Sequence, residues 1–204
     1  MGRDFVAPIR HDILDMEPKF RTFVALELPE IIRTDIRKLQ HAFKSHRLDI
    51  RWVKPLNMHL TLAFLGDISQ SQVEAVSSVL SEAAAQHPVF DLIPQGVGVF
   101  PNIRRPRILW VGIAGQTDIL RSTQGFVSSG LNLLGFKMEK RPYRGHLTLG
   151  RVKNRIQQGR LVDALRTHQG FVSHAFSVKH LVMFKSELNP DGPHYTKLCE
   201  VPLG

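Results

Sequence analysis

Apolar residues along the chain follow two spacings, which predict strands and helices in alternation. RTFVALELP, beginning at Arg21, is rich in β-forming residues and ends at a proline, so it predicts a buried strand. The next apolar residues recur at steps of four, three and four, which is typical of an amphipathic helix: Ile32, Ile36, Leu39 and Phe43. NMHLTLAFLG predicts a second strand. Another helix follows, where Ser71 and Glu74 have the spacing of a capping box.

The second half of the chain repeats much of this order. FDLIPQGVGVF and RILWVGI predict a hairpin joined by PNIRRP, and apolar residues from Ile119 to Leu134 predict a helix that ends at Gly135. GHLTLGRV then predicts a strand and Leu161 to Leu165 a short helix. HAFSVKHLVMFKSEL and HYTKLCEVPL predict the closing strands. Because helix, strand and helix recur in both halves, the sequence predicts an α+β duplication.

The first residues differ from the rest of the chain. Residues 1–19 mix charges, prolines and scattered apolar residues without a sustained period, which predicts a partly mobile N-terminal extension. Residues 20–204 are then the folded unit, a length that suits one domain or two small interlocked lobes. Apolar residues make up 43% of the chain, which is enough for that unit to bury a core.

Charge narrows the class of partner. Lys and Arg total 27 against 18 acidic residues, and a net charge of +9 favours RNA, DNA, nucleotides or anionic lipid. No apolar run approaches the ~20 residues of a membrane span, and the start of the chain lacks the apolar stretch of a signal peptide. We therefore expect a cytoplasmic protein, and nothing suggests an obligate partner chain, so we expect a monomer. Cys199 is the only cysteine, which excludes an internal disulfide.

The most informative feature is a tetrapeptide, HLTL, that occurs at residues 59–62 and again at 146–149. Side chains alternate faces along a strand, so His59 and Thr61 share one face while the leucines point into the core. His146 and Thr148 do the same in the second copy. Two such strands related by an approximate two-fold axis would present two imidazoles and two hydroxyls to one groove, which suits a phosphate group.

This set of side chains fits the opening of a cyclic phosphodiester. The reaction needs a base that activates water and an acid that protonates the departing ribose oxygen, and histidine, with a pKa of ~6.5, serves both roles near neutrality. Threonine hydroxyls can donate to phosphate oxygens. Neither tetrapeptide carries a second His, a Cys, an Asp or a Glu, so we expect no metal and no other cofactor. A pair of structural histidines is the alternative, and the duplication argues against it.

Other residues are weaker candidates for substrate binding. Arg151 follows the second motif and could neutralise phosphate charge, although strict alternation gives it the face of the leucines. We expect Gly150 to end or twist the strand and free the guanidinium. Trp52 and Tyr143 flank the motifs and could stack on a base. The arginines near the predicted loops could contact flanking phosphates as a group: Arg51, Arg104, Arg105, Arg107, Arg141 and Arg144.

The motifs resemble those of the 2H phosphoesterase superfamily, in particular its RNA 2′,3′-cyclic phosphodiesterase branch, also called 2′-5′ RNA ligases. RTFVALELP, RWVKPLNMHLTLAFLGD, PRILWVG, RPYRGHLTLGRV and SELNPDGPHYTKL match that branch in order and spacing. The resemblance implies a bilobed fold with two antiparallel sheets around a central cleft and helices outside. It also implies hydrolysis of the cyclic end to a 2′-phosphomonoester.

The resemblance also assigns roles. His59 is the expected proton donor to the leaving O3′, and His146 the base that activates water. Thr61 and Thr148 are the expected phosphate ligands, and Arg151 a substrate contact. Two alternatives stay open at this point: reversible 2′-5′ joining of RNA ends, and a nucleotide- or RNA-binding module without turnover.

Overall fold

Two antiparallel sheets face each other in the computed structural model, which describes residues 17–154, 156–190 and 192–204. Their strands are β1 (Phe20–Glu27), β2 (Ile50–Trp52), β3 (His59–Ile68), β4 (Phe90–Phe100), β5 (Ile108–Gly115), β6 (His146–Val152), β7 (Phe176–Val178), β8 (His180–Asn189) and β9 (Gly192–Pro202). The helices are α1 (Glu30–Lys44), α2 (Gln70–Ala85), α3 (Thr117–Leu133) and α4 (Gln158–His168), with a short 3-10 turn at Pro55–Asn57. The strand order is β3-β1-β8-β9 in the first sheet and β2-β6-β5-β4-β7 in the second. The predicted α+β fold with two antiparallel sheets is confirmed.

The strand order reveals how the duplication is built. In the first sheet β3, which begins with the first HLTL, lies beside β1 and then β8; in the second, β6 with the other HLTL lies beside β5 and then β4. The repeats are therefore β1-α1-β3-α2-β4 and β5-α3-β6-α4-β8. The last strand of each repeat pairs in the sheet of the other repeat. Neither sheet is complete without a strand from the other half of the chain.

The helices follow the same exchange. Helix α1 packs behind the second sheet, where Phe43 lies 6.5 Å from Trp52 between ring centroids. Helix α3 contacts β3 and β4 as well as α2. One cluster of buried apolar side chains includes both Leu60 of β3 and Leu147 of β6, so the repeats share a core. Among the described residues, no helix is long and apolar enough to cross a membrane.

Two details differ from the sequence-based predictions. The capping box of α2 lies two residues earlier, because the backbone N–H of Ser69 donates to Oε1 of Gln72 at 3.0 Å. The stretch HAFSVKHLVMFKSEL forms two strands in different sheets, β7 and β8, and a continuous apolar run does not reveal such a crossover. Most of the predicted N-terminal extension lies outside the described residues. Its residue Glu17 accepts hydrogen bonds from the backbone N–H and the hydroxyl of Ser71, at 3.2 and 2.8 Å.

Each motif strand contains a β-bulge at the same place. Along β3, Thr61 pairs with Ala25 and Ala63 with Val24, so Leu62 has no partner on β1. Along β6, Thr148 pairs with Trp110 and Gly150 with Leu109, so Leu149 has no partner on β5. An extra residue in one strand shifts the alternation of side chains beyond it. Phe64 and Arg151 thereby change face at equivalent positions.

The bulges differ in the small residue that follows the leucine. Strand β2 lies beside β6, and a Cβ at position 150 would overlap Cγ2 of Ile50 and lie 3.0 Å from the carbonyl oxygen of Arg51. Strand β3 is an edge strand and has no such neighbour, so Ala63 fits at the equivalent position. Glycine at position 150 is therefore required by the close approach of β2.

We predict that Gly150→Ala lowers the free energy of unfolding by about 1 to 3 kcal/mol, the usual cost of an overpacked site. Gly125→Ala is the matched control, because a Cβ there meets nothing within 4 Å and the middle of helix α3 gains about 0.5 to 1 kcal/mol from alanine. Urea titrations of both variants measure the difference. Equal stability of the two variants would contradict the argument.

Candidate active site

The two motif histidines are held in the same way. Nδ1 of His59 lies 3.0 Å from the carbonyl oxygen of Asn57, and Nδ1 of His146 lies 2.8 Å from that of Arg144. A carbonyl can only accept, so each Nδ1 carries the hydrogen and each neutral ring has its lone pair on Nε2. Strands β3 and β6 contact each other, which brings the two motifs together. Both imidazoles are thus oriented by the backbone and can exchange a proton at Nε2.

Burial lowers the pKa of both histidines. It lowers the pKa of His59 to about 4, although the hydrogen bond to Asn57 acts in the opposite direction. The ring of His59 stacks on Phe23 at 4.5 Å and meets the edge of Tyr195 at 5.3 Å, which explains its desolvation. Burial also lowers the pKa of His146. Burial therefore favours the neutral form of both rings when no ligand is bound.

The threonines of the motifs lie on the same face as the histidines. Thr61 and Thr148 are half-buried, while the leucines on either side of each are buried. Within the described part of the chain, no protein group forms a hydrogen bond with either hydroxyl. Both hydroxyls are therefore available to a ligand in the cleft.

Arg151 is exposed, and strand β6 continues past it to Val152. Of the two expected possibilities, that Gly150 ends the strand or that it twists it, the first is not observed; the bulge at Leu149 alters the strand and turns the next side chain. The positive charges of Arg151 and Arg21 act on Tyr195 of the first sheet, whose pKa is raised mainly by burial. Because Tyr195 also contacts His59, Arg151 lies on the cleft side of β6. No carboxylate among the described residues forms a salt bridge with it.

The two flanking aromatic residues are placed differently from each other. Trp52 pairs with Gly150 and packs towards Phe43 of α1, on the core side of the second sheet, where it cannot stack on a ligand in the cleft. Arg51, which pairs with Arg151, is the residue of β2 that shares its face. The hydroxyl of Tyr143 donates to the carbonyl oxygen of Thr61 at 3.0 Å, so this residue ties the second motif to the first. Its burial raises the pKa of the phenol.

Several cleft residues were not predicted. Phe64 is 60% exposed although it is a large aromatic, and it lies 6.1 Å from Phe23. Phe64 has the same position in the first motif as Arg151 has in the second, and the bulge places both side chains on the cleft face. A second apolar cluster, separate from the main core, forms the floor under His59: Phe23, Ala25, Val182 and Phe184, with Tyr195 packed against it. At one end of this floor Lys197 forms a salt bridge of 2.6 Å with Glu27.

A pocket opens beside His146. Its cavity volume is about 330 Å³, and its aromatic wall is formed by Phe100, Trp110 and Tyr143. The indole of Trp110 lies flat over the backbone of β4, where any side chain at Gly98 would overlap it. Phe100 meets the ring of His146 edge-on at 4.9 Å. Two arginines, Arg121 and Arg144, also line the pocket.

The remaining loop arginines have different surroundings. Arg141 forms an exposed ion pair with Glu139, and Arg104 and Arg105 are exposed in the turn between β4 and β5. Cys199 is half-buried and packs against the main core. No group of three or more His, Cys, Asp or Glu side chains in residues 17–154, 156–190 and 192–204 is arranged to hold a metal ion.

Paired imidazoles and hydroxyls on two facing strands define the two-histidine phosphoesterases, and comparison with known proteins agrees. The profile of the LigT-like phosphoesterase family matches this chain twice, at residues 26–110 and 111–195, once for each repeat. The chain belongs to the LigT-like phosphoesterase family, part of the 2H phosphoesterase superfamily, and the resemblance predicted from its motifs is confirmed.

Its relatives support this. An RNA 2′,3′-cyclic phosphodiesterase of Methanothermobacter thermautotrophicus is 32% identical over 88% of this chain and 97% of that protein. One from Methanocaldococcus jannaschii is 32% identical over 88% and 99%. Among solved structures, Escherichia coli LigT in complex with 3′-AMP has a TM-score of 0.72 at 26% identity, covering 91% of this chain and 98% of LigT.

We predict that His59 titrates near pH 4 and His146 below 6.5, which NMR of ¹⁵N-labelled imidazoles can measure. Because the unfolded chain binds these protons more tightly, stability conferred by the neutral rings is present above about pH 6.5 and is lost as pH falls towards 4. Tyr195→Ser is the control, because exposing His59 should raise its pKa. An ordinary pKa for His59 in the wild-type protein would contradict the desolvation argument.

Proposed function

We propose that this phosphoesterase hydrolyses RNA 2′,3′-cyclic phosphodiester ends to 2′-phosphomonoesters through His59 and His146, without a metal ion. The observation that carries the proposal is the matched orientation of the two imidazoles, each with Nδ1 bound to a backbone carbonyl and with no hydrogen bond to Nε2 from the described residues. The names of the relatives support the choice of substrate, and the complex of LigT with 3′-AMP supports a nucleotide in the cleft.

The chemistry follows from that orientation. Nε2 of His146 takes a proton from water as the water oxygen bonds to phosphorus. The bond from phosphorus to O3′ breaks on the opposite side, and Nε2 of His59 supplies the proton to the departing oxygen. His59 must be protonated for this role, although burial lowers its pKa in the free protein. A bound phosphodiester anion favours the imidazolium, so substrate binding and protonation of His59 are coupled.

The remaining groups of the cleft take up the phosphate and the base. Thr61 and Thr148 donate hydrogen bonds to phosphate oxygens, and the guanidinium of Arg151 neutralises charge that builds up as the bond to water forms. Phe64, exposed on the cleft side of β3, offers a better stacking surface for the base than Trp52 does. RNA with a cyclic phosphate end is the proposed partner. A monomeric state and a cytoplasmic location stay predictions.

A direct test uses a short RNA that ends in a 2′,3′-cyclic phosphate, with products identified by mass spectrometry in the presence of excess EDTA. We predict that His59→Ala and His146→Ala each lower the rate by about 10²- to 10⁴-fold and that combining them adds little. His41→Ala, an exposed histidine on α1, is the matched control and should keep full activity.

Each part of this proposal can fail separately. A single variant that keeps more than about a tenth of the rate would contradict the two-histidine mechanism. Loss of turnover in EDTA, restored by Zn²⁺ or Mg²⁺, would contradict metal independence. RNA that binds and is recovered unchanged by the wild-type protein would favour a binding module over an enzyme.

The pocket beside His146 favours a second candidate function, the joining of RNA ends through 2′-5′ linkages. Hydrolysis requires room for one water on the side of the base, which takes about 30 Å³ in the liquid, whereas this pocket has about 330 Å³ and an aromatic wall. Pockets that bind small organic ligands begin at roughly 300 Å³. A nucleoside with a 5′-hydroxyl could therefore replace water as the group that His146 deprotonates.

We predict that rising concentrations of a 5′-hydroxyl RNA reduce the yield of 2′-phosphate and produce a 2′-5′ joined product, separable by gel electrophoresis. An RNA with a 5′-phosphate is the matched control, because it lacks the nucleophilic hydroxyl. If 2′-phosphate remains the sole product at every acceptor concentration, the pocket does not serve joining, and the hydrolytic proposal is unaffected.

A further inference from the structure

The direction of Arg151 depends on a single backbone feature. Strict alternation from His146 would give Arg151 the face of Leu147 and Leu149, which are both fully buried. The bulge at Leu149 places Leu149 and Gly150 on the core side in succession, so Arg151 follows on the cleft side. Whatever holds the bulge therefore holds the guanidinium in the cleft.

A bulge leaves backbone groups outside the regular ladder of hydrogen bonds, and inside a protein these need other partners. The carbonyl oxygen of Leu149 accepts from the side-chain amide of Gln40 at 2.9 Å and from the backbone N–H of Val53 at 3.0 Å. The same amide nitrogen donates to the carbonyl oxygen of Val53, also at 2.9 Å. Gln40 thus joins the bulge of β6 to the segment that follows β2.

Gln40 is a polar residue in an apolar surrounding. It lies on the buried face of α1 among Ile36, Leu39 and Phe43 and is only 4% exposed. Burying an amide is favourable only when its hydrogen bonds are made, so the position is specific for a group that reaches the bulge. The helix belongs to the first repeat, whereas the bulge belongs to the second.

The other repeat contains the same arrangement in reverse. Gln124 of α3 donates to the carbonyl oxygen of Leu62 at 3.3 Å, and Leu62 is the extra residue of the β3 bulge. Each helix that follows the first strand of its repeat therefore supplies a glutamine to the bulge of the other motif strand. Gln124 stabilises the bulge that precedes Phe64, which carries no charge, and this makes it a natural control for Gln40.

We propose that Gln40 is a positioning residue for phosphodiester hydrolysis, because it fixes the Leu149 bulge and thereby keeps the guanidinium of Arg151 turned towards the phosphate. This inference rests on the proposed function for the role of Arg151. Gln40 then acts through one motif strand, β6, and through one side chain, that of Arg151. Neither histidine depends on it, since the imidazoles are held by the backbone carbonyls of Asn57 and Arg144.

The test is a double-mutant cycle on hydrolysis of the cyclic-phosphate RNA. We predict that Gln40→Met, which keeps the length of the side chain but removes the donor, lowers kcat/KM by about 10- to 100-fold, the range for a catalytic group displaced by about 1 Å. In an Arg151→Ala background the same substitution should change kcat/KM less than about twofold, because two residues that act through one interaction are not additive. The pH profile of Gln40→Met should keep the wild-type shape.

Gln124→Met is the matched control. It removes a comparable side-chain donor, yet its effect on kcat/KM should be the same with and without Arg151. If Gln40→Met has no effect, or has the same effect in both backgrounds, Gln40 is a structural residue and the proposal is wrong. A shift of the pH profile would show that the change has reached a histidine, which also overturns it.

A second measurement does not depend on turnover. Phenylglyoxal should modify Arg151 in the wild-type protein, with inorganic phosphate slowing the reaction, as followed by peptide mass spectrometry. Phosphate protection should be lost in Gln40→Met and in Gln40→Asn, whose amide is one methylene too short, and kept in Gln124→Met. Protection that survives in both Gln40 variants, or that is absent in the wild-type protein, would overturn the proposal. Absence of hydrolysis with protection intact would instead contradict the proposed function.

Discussion

The arrangement of this cleft depends on one extra residue in each motif strand. In a regular strand that begins with HLTL, the histidine, the threonine and the fifth residue would lie on one face. The two leucines and the sixth residue would lie on the other. The bulges at Leu62 and Leu149 change this rule after the threonine. As a result, the first four residues of each motif alternate between the cleft and the core, the fifth faces the core and the sixth faces the cleft. The apolar core keeps its leucines while the cleft gains Phe64 and Arg151.

The exchange of elements between the repeats explains how such bulges are tolerated. A carbonyl oxygen at a bulge inside a sheet is costly to leave without donors. Because α1 lies behind the second sheet and α3 lies behind the first, each bulge faces a helix from the other repeat. A glutamine of that helix donates a hydrogen bond to the carbonyl oxygen of the extra leucine. Folding of one repeat is thus tied to that of the other, and the two motif strands are fixed relative to each other.

A feature of the fold or the cleft could be predicted from the sequence where the residues that determine it lie close together along the chain. The faces of His59, Thr61, His146 and Thr148 follow from alternation within one strand, and the duplicated tetrapeptide identified them. The direction of Arg151 could not be settled in this way, because a bulge is defined by pairing with β5, far away along the chain. The prediction of helices and most strands succeeded for the same local reason. The crossover between β7 and β8 was missed because both segments are apolar.

Aromatic residues illustrate the same limit. Trp52 was a reasonable candidate for stacking on the basis of its closeness to the motif in sequence. Ile50 and Trp52 share a face of the three-residue strand β2, and Ile50 is buried, so alternation alone could have placed Trp52 towards the core. Phe64 had no comparable signal in the sequence. Alternation from His59 gives it the core face, and only the bulge, which the sequence does not reveal, places it on the cleft face. Its exposure is what distinguishes it from the other phenylalanines of the first sheet.

The two halves of the cleft are therefore similar in backbone and different in chemistry. Equivalent positions carry Phe64 in one motif and Arg151 in the other, and the floor under His59 is more apolar than the pocket beside His146. A symmetric site would bind a phosphate in two orientations with equal affinity, and the acid and the base would then be interchangeable. On the proposed function, the apolar surface next to His59 binds the nucleoside, and the guanidinium of Arg151 next to His146 neutralises the charge of the phosphate. One orientation of the substrate is therefore favoured. On this proposal, the difference between Phe64 and Arg151, together with the apolar floor under His59, gives the two identical tetrapeptides distinct roles.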